Sequence, residues 1–203
     1  MTRVIGLTGG VGSGKSTVSQ FLEELGAVIL DADKVGHESY LPGMPAWREL
    51  QDAFGTEILQ PDGAIDRKKL GSIVFGDSEA LAKLNGIVHP RILEIMGPKI
   101  TTLKEQGAAA IVIDAAILIE AGWDSLVDEI WVTHAPEDIV VKRLLARNPG
   151  WDAEQVRSRI QAQLSYAERA KHADVLIDSD CDLDELNRKV RDLWTERVAL
   201  KVS

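Results

Sequence analysis

The sequence predicts an α/β protein in which buried parallel strands alternate with helices. A short apolar run near the N-terminus leads into a glycine-rich loop and then into an amphipathic helical pattern. Similar apolar runs of strand length recur at 27–30, 109–114, 130–133 and 173–178, with helical patterns between most of them. A block at 36–106 has helical patterns only. Alternation of this kind is typical of a parallel sheet covered by helices, here as a single domain over 1–203 with one insertion.

Composition excludes several classes of protein. The formal net charge of −9 argues against general nucleic-acid binding, which favours a basic surface. Cys181 is the single cysteine, so no intrachain disulfide can form and a reducing cytoplasm is the expected location. We find no signal-peptide pattern, no apolar run long enough to span a membrane and no zinc-ligand spacing among the histidines.

The first loop carries the chemistry. The stretch TGGVGSGKST at 8–17 fits the pattern G-x-x-x-x-G-K-[ST], with Gly9, Gly14, Lys15 and Ser16 in the fixed places. Glycines let backbone N–H groups turn inward around phosphates, the lysine reaches the β- and γ-phosphates, and the serine hydroxyl ligates Mg²⁺. A glycine-rich turn with an incidental lysine is the alternative, but the strand before the loop and the helix after it favour binding of a nucleoside triphosphate.

Two carboxylates follow the second strand. The run at 27–30 leads directly into Asp31-Ala32-Asp33, at the sheet edge where ligands bind in open α/β folds. Asp33 is predicted to accept the proton of an attacking hydroxyl or to orient that hydroxyl. The alternative is that Asp33 only caps a helix that starts near Lys34. Asp31 is predicted to be structural.

The block at 36–106 resembles the insertions with which small-molecule kinases bind their second substrate. Asp66 is predicted to cap one helix, and another begins at Ser78. We expect His89-Pro90 to interrupt that helix, placing His89 and Arg91 at a junction between helices where they can contact a substrate. For His89, a packing role is the alternative.

Two further features complete the predicted site. Asp114 ends an apolar strand in the Walker-B form, where it can hold a water on Mg²⁺ or orient the substrate. Pro136 is predicted to open a helix at its first position. Four arginines around Pro149-Gly150 predict a lid over phosphates at 143–170, with Arg143 as the favoured clamp; the alternative is a solvated helical hairpin. These arginines are Arg143, Arg147, Arg157 and Arg159.

The motifs together resemble those of the dephospho-CoA kinase family. They are GLTGGVGSGKST at 6–17 with DAD at 31–33, PGMPA at 42–46, FG at 54–55, DGAIDR at 62–67, IVF at 73–75, LNGIVHP at 84–90, RLLARN at 143–148, RIQAQ at 159–163 and ADVLID at 173–178. The resemblance implies transfer of the ATP γ-phosphate to the ribose 3′-hydroxyl of dephospho-CoA, the last step of coenzyme A synthesis. It also implies a three-layer P-loop kinase core with five parallel strands in the order 2-3-1-4-5, a helical substrate subdomain at 36–106 and a helical lid.

Carried onto this sequence, the resemblance implies three sets of residues. The catalytic set is Lys15, Asp33 and Arg143. The ATP-binding set is Gly9, Gly10, Val11, Gly12, Ser13, Gly14, Lys15, Ser16, Thr17, Arg147 and Asp178, with Ser16 on Mg²⁺. The substrate-binding set is Thr8, Asp33, His89, Arg91, Asp114 and Glu120. The expected partners are ATP and dephospho-CoA, without nucleic acid or membrane, and the expected state is a monomer or a weak homo-oligomer.

The sequence departs from the family pattern in two places. The family usually has D-x-P-L-L-F-E where 114–120 reads DAAILIE, so the acids at both ends are present while the packing between them differs. Near the last strand the family tends to have I-x-N, where 177–179 reads IDS. A nucleoside or sugar kinase and a nucleotide-dependent switch or assembly ATPase are the alternative functions. The first would lack the LNGIVHP segment, and the second would require a protein partner.

Overall fold

The structure, a computed structural model, describes residues 2–199 and contains a five-stranded parallel sheet. Its strands are β1 (Arg3–Gly9), β2 (Ala27–Asp31), β3 (Ala110–Asp114), β4 (Glu129–His134) and β5 (Val175–Asp178). The order is β2-β3-β1-β4-β5, as predicted. The central strand β1 pairs in parallel with β3 on one side and with β4 on the other. The phosphate loop therefore follows the middle strand of the sheet.

The helices fill the intervals between these strands. They are α1 (Lys15–Glu24), α2 (Ala32–Ser39), α3 (Pro45–Phe54), α4 (Arg67–Val74), α5 (Ser78–Glu105), α6 (Glu137–Arg147), α7 (Ala153–Gln161), α8 (Tyr166–Ala170) and α9 (Leu183–Arg197). Short 3₁₀ turns lie at Thr56–Ile58 and Trp123–Leu126. Helix α8 has only five residues and was not predicted from the sequence. Across the described residues, no helix combines the length and the apolar character needed to cross a membrane.

The chain divides into two compact units. The first, which we call the sheet unit, comprises Met1–Leu30 and Thr102–Ser203. In its core, buried side chains of β1, β3 and β4 pack with α1 and α9, and residues that point to both faces of β1 and β3 are buried. Parallel sheets are typically covered on both faces, which explains why these strands are almost continuously apolar.

The second unit, which we call the helical unit, comprises Asp31–Thr101. The block predicted from the sequence is 36–106. The core of the helical unit is a separate cluster around Leu50 and Leu70. Asp66 caps α4 as predicted, because its carboxylate accepts hydrogen bonds from the backbone N–H groups of Lys68 and Lys69 at 3.0 and 3.1 Å.

The prediction that His89-Pro90 interrupts a helix is wrong. Helix α5 runs without a break through both Pro90 and Pro98. Proline removes one intrahelical hydrogen bond and disfavours a helical conformation at the residue before it, but this bias is not absolute. Ile92, Met96 and Ile100 are buried at four-residue intervals along the same helix, and their burial holds the helix together across the prolines.

The helical hairpin after β4 begins one residue later than predicted. Pro136 lies at the N-cap of α6 rather than at its first helical position. Asp152 caps α7 in a capping box with Gln155. Val140, Leu144 and Val156 form the apolar core of this hairpin.

Candidate active site

The phosphate loop joins β1 to α1 and leaves backbone N–H groups free at the start of the helix. Gly14 is the N-cap of α1, adopts φ +87°, and no side chain caps the helix. A residue with a Cβ would be strained in this left-handed conformation. A methyl group on Gly9 would collide with the hydroxyl of Thr133. Gly14 is thus required by its backbone conformation and Gly9 by the closeness of the Thr133 side chain. The free helix terminus is suited to bind an anion.

Lys15 and Asp114 form an ion pair at the ends of adjacent elements. The Nζ of Lys15 contacts Oδ1 of Asp114, and the two side chains are 19% and 15% exposed. Lys15 is the first residue of α1, and Asp114 is the last residue of β3. Because β1 and β3 are neighbouring parallel strands, the loop lysine and the Walker-B carboxylate meet at the same sheet edge. Ser16 next to Lys15 is exposed.

Arg143 connects the phosphate loop to the segment after β5. Its Nη1 donates to the hydroxyl of Ser179 at 2.9 Å and to the carbonyl of Gly12 at 3.3 Å, and its Nη2 donates to the carbonyl of Ser179 at 2.7 Å. Ser179 is fully buried, and its hydroxyl donates to the carbonyl of Ser13 at 2.9 Å. The fork of the guanidinium therefore fixes the loop in place through two backbone segments.

A cavity of about 520 Å³, which we call the nucleotide cavity, lies over the phosphate loop. Its wall includes the whole loop from Gly9 to Thr17 and both Arg143 and Arg147. The remaining lining residues are Ala116, Leu144, Gln163, Ser179, Cys181, Leu183 and Leu186. The lining thus combines the backbone of the phosphate loop and two arginines with apolar side chains, which fits the phosphates and the base of a nucleotide.

In the helical unit, the structure assigns different positions to the two aspartates after β2. Asp31 is the N-cap of α2, and its carboxylate accepts a hydrogen bond from the Lys34 N–H at 3.0 Å. Asp33 lies inside the first turn of α2 and is exposed. The helix-cap interpretation of Asp33 is therefore wrong. Its carboxylate has no hydrogen bond or ion pair to any residue in 2–199.

His89 and Arg91 lie on the continuous helix α5 and not at a junction between helices. Arg91 donates to both carboxylate oxygens of Glu94 at 2.8 and 2.7 Å and to Glu49 at 2.5 Å. Partial burial lowers the pKa of His89, so its imidazole is neutral at physiological pH. Any role of these two residues in substrate binding stays a prediction, and Arg91 would have to exchange a carboxylate for the substrate.

Three other predicted residues are placed as follows. Thr8 is fully buried, and its hydroxyl donates to the Ala116 carbonyl at 3.3 Å. Asp178 is exposed and accepts from the Asp180 N–H, whereas its neighbour Ser179 lines the nucleotide cavity. Glu120 forms an ion pair with Arg169 at 3.1 Å.

The predicted lid arginines separate into two groups. Arg143 and Arg147 on α6 line the nucleotide cavity. Arg159 on α7 stacks over the ring of Trp151, with 4.1 Å between its Cζ and the ring centroid, and Arg157 is exposed. The hairpin thus has arginines with different surroundings, and only those on α6 adjoin the loop.

Sequence reasoning missed Gln163 and Arg169. The side-chain oxygen of Gln163 accepts a hydrogen bond from the Val11 N–H at 2.8 Å, and Arg169 is buried beside Gly10. Gln163 ends the quoted RIQAQ motif, which was the available signal. For Arg169 there was none, because a buried arginine on a short helix has no sequence pattern.

Comparison with known proteins identifies what the chain is similar to. A family model described as dephospho-CoA kinase matches residues 3–185. A dephospho-CoA kinase of Geobacter sulfurreducens is 44% identical over 194 residues, which cover 96% of this chain and 98% of that protein. A crystal structure of a Thermus thermophilus protein matches with a TM-score of 0.80 at 29% identity, over 97% of this chain and 98% of the other. A dephospho-CoA kinase from Campylobacter jejuni, 23% identical, has the same fold with a TM-score of 0.75 over 99% and 100% of the two chains.

Proposed function

The chain belongs to the dephospho-CoA kinase family, and on this premise we propose that it transfers the γ-phosphoryl group of ATP to the ribose 3′-hydroxyl of dephospho-CoA. The products are coenzyme A and ADP, and the reaction is the last step of coenzyme A synthesis. The observation that carries the proposal is the family match over nearly the whole chain, together with a complete phosphate loop at the N-terminus of α1.

For the chemistry, we propose that Asp33 accepts the proton of the 3′-hydroxyl as its oxygen attacks the γ-phosphorus. The bond between the γ-phosphorus and the β–γ bridging oxygen breaks, and the electron pair remains on ADP. Lys15, Arg143 and the N–H groups of the loop neutralise the charge that develops on the phosphates. The carboxylate of Asp33 is exposed and has no hydrogen-bond or ion-pair partner among residues 2–199, which supports its assignment, since a base must be free to receive a proton.

For nucleotide binding, we propose that the phosphates lie on Gly9, Gly10, Val11, Gly12, Ser13, Gly14, Lys15, Ser16 and Thr17. Arg147 adjoins the same cavity, and Asp178 remains a candidate beside the adenine. For the acceptor we propose Thr8, His89, Arg91, Asp114 and Glu120, together with the helical subdomain at 36–106. The segment at 143–170 is proposed to act as the lid.

Mg²⁺ is the proposed metal ion, held by the hydroxyl of Ser16. Within residues 2–199 there is no cluster of three acidic, histidine or cysteine side chains that could bind a metal ion alone. The residues present fit Mg²⁺ nevertheless, because this ion typically binds one or two protein oxygens together with substrate phosphates and water. Ser16 is exposed at the loop, and Asp114 adds a carboxylate beside Lys15. When bound, the ion neutralises charge on the β- and γ-phosphates.

An ADP-release assay tests the function. Purified protein with Mg²⁺ and ATP should release ADP slowly, and dephospho-CoA should increase that rate well above the background. Adenosine, gluconate and shikimate should not. Equal rates with and without dephospho-CoA, or faster release with a sugar or a free nucleoside, would contradict the proposal.

Location and assembly are proposals of the same kind. We propose a cytoplasmic enzyme that is a monomer or a weak homo-oligomer. The single cysteine, Cys181, supports a reducing compartment, because a protein with one thiol does not depend on disulfides for its stability. Sedimentation velocity with and without substrates would measure the assembly state directly.

A further inference from the structure

Arg169 is a buried charged residue next to the phosphate loop, and the proposed function gives it no role. It lies on α8 and is 3% exposed. Removing a guanidinium from water is costly unless its N–H groups and its charge find partners in the protein. The burial of Arg169 therefore depends on the contacts that its guanidinium makes.

These contacts reach three parts of the sheet unit. Nη2 donates to Oε1 of Glu120 at 3.1 Å, and Nη1 donates to the carbonyl of Leu164 at 2.6 Å. Nη1 also lies 3.4 Å from the position that a methyl group on Gly10 would occupy. The guanidinium thus lies between the turn that ends at Glu120, the segment before α8 and the first turn of the phosphate loop.

The same segment is attached to the loop a second time. The side-chain oxygen of Gln163 accepts a hydrogen bond from the backbone N–H of Val11 at 2.8 Å. Gln163 also lines the nucleotide cavity and a second, mainly apolar cavity of about 370 Å³ that borders Arg169. Residues 163–169 are therefore held on the phosphate loop through Gln163 and on Glu120 through Arg169.

This arrangement is not optimal for stability. The Nε of Arg169 is buried and has no hydrogen-bond partner among residues 2–199. An unsatisfied buried donor destabilises a fold, and an apolar side chain of similar size would avoid that cost. Local rules that a sequence breaks in this way are typically broken at functional sites.

We propose that Arg169 is a positioning residue for phosphoryl transfer. It fixes the carboxylate of Glu120, which we propose binds the acceptor, and it holds residues 163–169 against the phosphate loop. Through these contacts it sets the positions of Glu120 and of Val11. The inference rests on the proposed kinase function. It predicts that loss of the guanidinium lowers kcat more than it weakens ATP binding, because displacements of about 1 Å can cost ~10²-fold in rate.

The test uses Arg169→Ala and Arg169→Lys in the full chain, with Arg188→Ala as the matched control. Arg188 is an exposed arginine on α9. We expect Arg169→Ala to lower kcat by about 10- to 100-fold while the KM for ATP changes by less than about threefold. We expect Arg169→Lys to recover little, since an ammonium lacks the planar fork that bonds Glu120 and Leu164 together. Arg188→Ala should behave as the wild type.

Chemical rescue separates positioning from packing. The cavity that borders Arg169 gives a small cation room to enter, so ethylguanidinium should raise the kcat of Arg169→Ala severalfold and leave Arg169→Lys unchanged. Wild-type kcat in either variant, or no rescue of the alanine variant, would overturn the positioning role and leave a packing role. If Arg169→Ala does not fold, Arg169→Lys alone decides through its kcat. Wild-type protein that fails to respond to dephospho-CoA would instead contradict the proposed function.

Discussion

The ammonium of Lys15 forms an ion pair with the carboxylate of Asp114. The same ammonium is proposed to bind the β- and γ-phosphates of ATP. Nucleotide binding must therefore draw Lys15 away from Asp114, or add phosphate charge beside a carboxylate that repels it. We therefore expect Asp114 and the nucleotide phosphates to compete for the charge of the loop lysine.

Replacing Asp114 by Asn should strengthen the binding of metal-free nucleotide. A partly exposed ion pair contributes about 0.2–1 kcal/mol, so its loss should lower the Kd for ADP in EDTA by up to about fivefold. Isothermal titration calorimetry measures this effect. A weaker affinity of Asp114→Asn for metal-free ADP would contradict a competition between Asp114 and the nucleotide for Lys15.

Lys15→Ala is the complementary variant, for which we expect kcat to fall by at least ~10²–10³-fold.

Replacing Asp33 by Asn should lower kcat by about 10²–10⁴-fold without a loss of stability. The reason is that Asp33 is exposed and does not cap α2, so its charge is available for catalysis. Asp31→Ala is the matched variant, because Asp31 caps the same helix. We expect this variant to lose about 0.5–2 kcal/mol in urea unfolding while keeping most of its activity. The reverse pattern would show that the roles are exchanged.

These two aspartates illustrate what the sequence can and cannot predict. Strand positions, the phosphate loop and the sheet order follow from apolar runs, fixed glycines and family motifs, all of which are local patterns. Which of two aspartates caps a helix depends on the residue at which the helix begins, and boundaries shift by one or two positions. The continuous path of α5 through Pro90 and the burial of Arg169 depend on packing between distant segments, which no local pattern encodes.

Replacing Arg143 by Ala should lower kcat by about 10²–10³-fold. The side chain holds Ser179 and Gly12 through both ends of its fork, so its loss frees the loop and removes a cation from the cavity. Arg143→Lys should recover less than about a tenth of the activity, because a single ammonium cannot reproduce the bidentate contact. Steady-state kinetics on the two folded variants check this, and equal activity of the lysine variant and the wild type would show that a point charge suffices.

The pKa of His89 predicts a stability that falls in acid. Burial lowers this pKa in the folded state below the ordinary value of 6.5. The unfolded chain therefore binds more protons, and the contribution of His89 to stability is complete above pH ~6.5 and decreases as the pH falls through the folded pKa. Urea unfolding of His89→Gln should be less sensitive to acid than that of the wild type. An identical pH dependence of the two proteins would rule out this source.

The proposed role of the helical unit in acceptor binding can be tested by hydrogen exchange. Dephospho-CoA should slow amide exchange within Asp31–Thr101, because the motifs shared with the family, including LNGIVHP at 84–90, concentrate there. ATP alone should protect the phosphate loop and leave that unit nearly unchanged. Acceptors that lack the pantetheine arm should lose kcat as well as affinity, since contacts far from the reacting hydroxyl help to reach the transition state. Protection by dephospho-CoA confined to the sheet unit would show that the acceptor binds elsewhere.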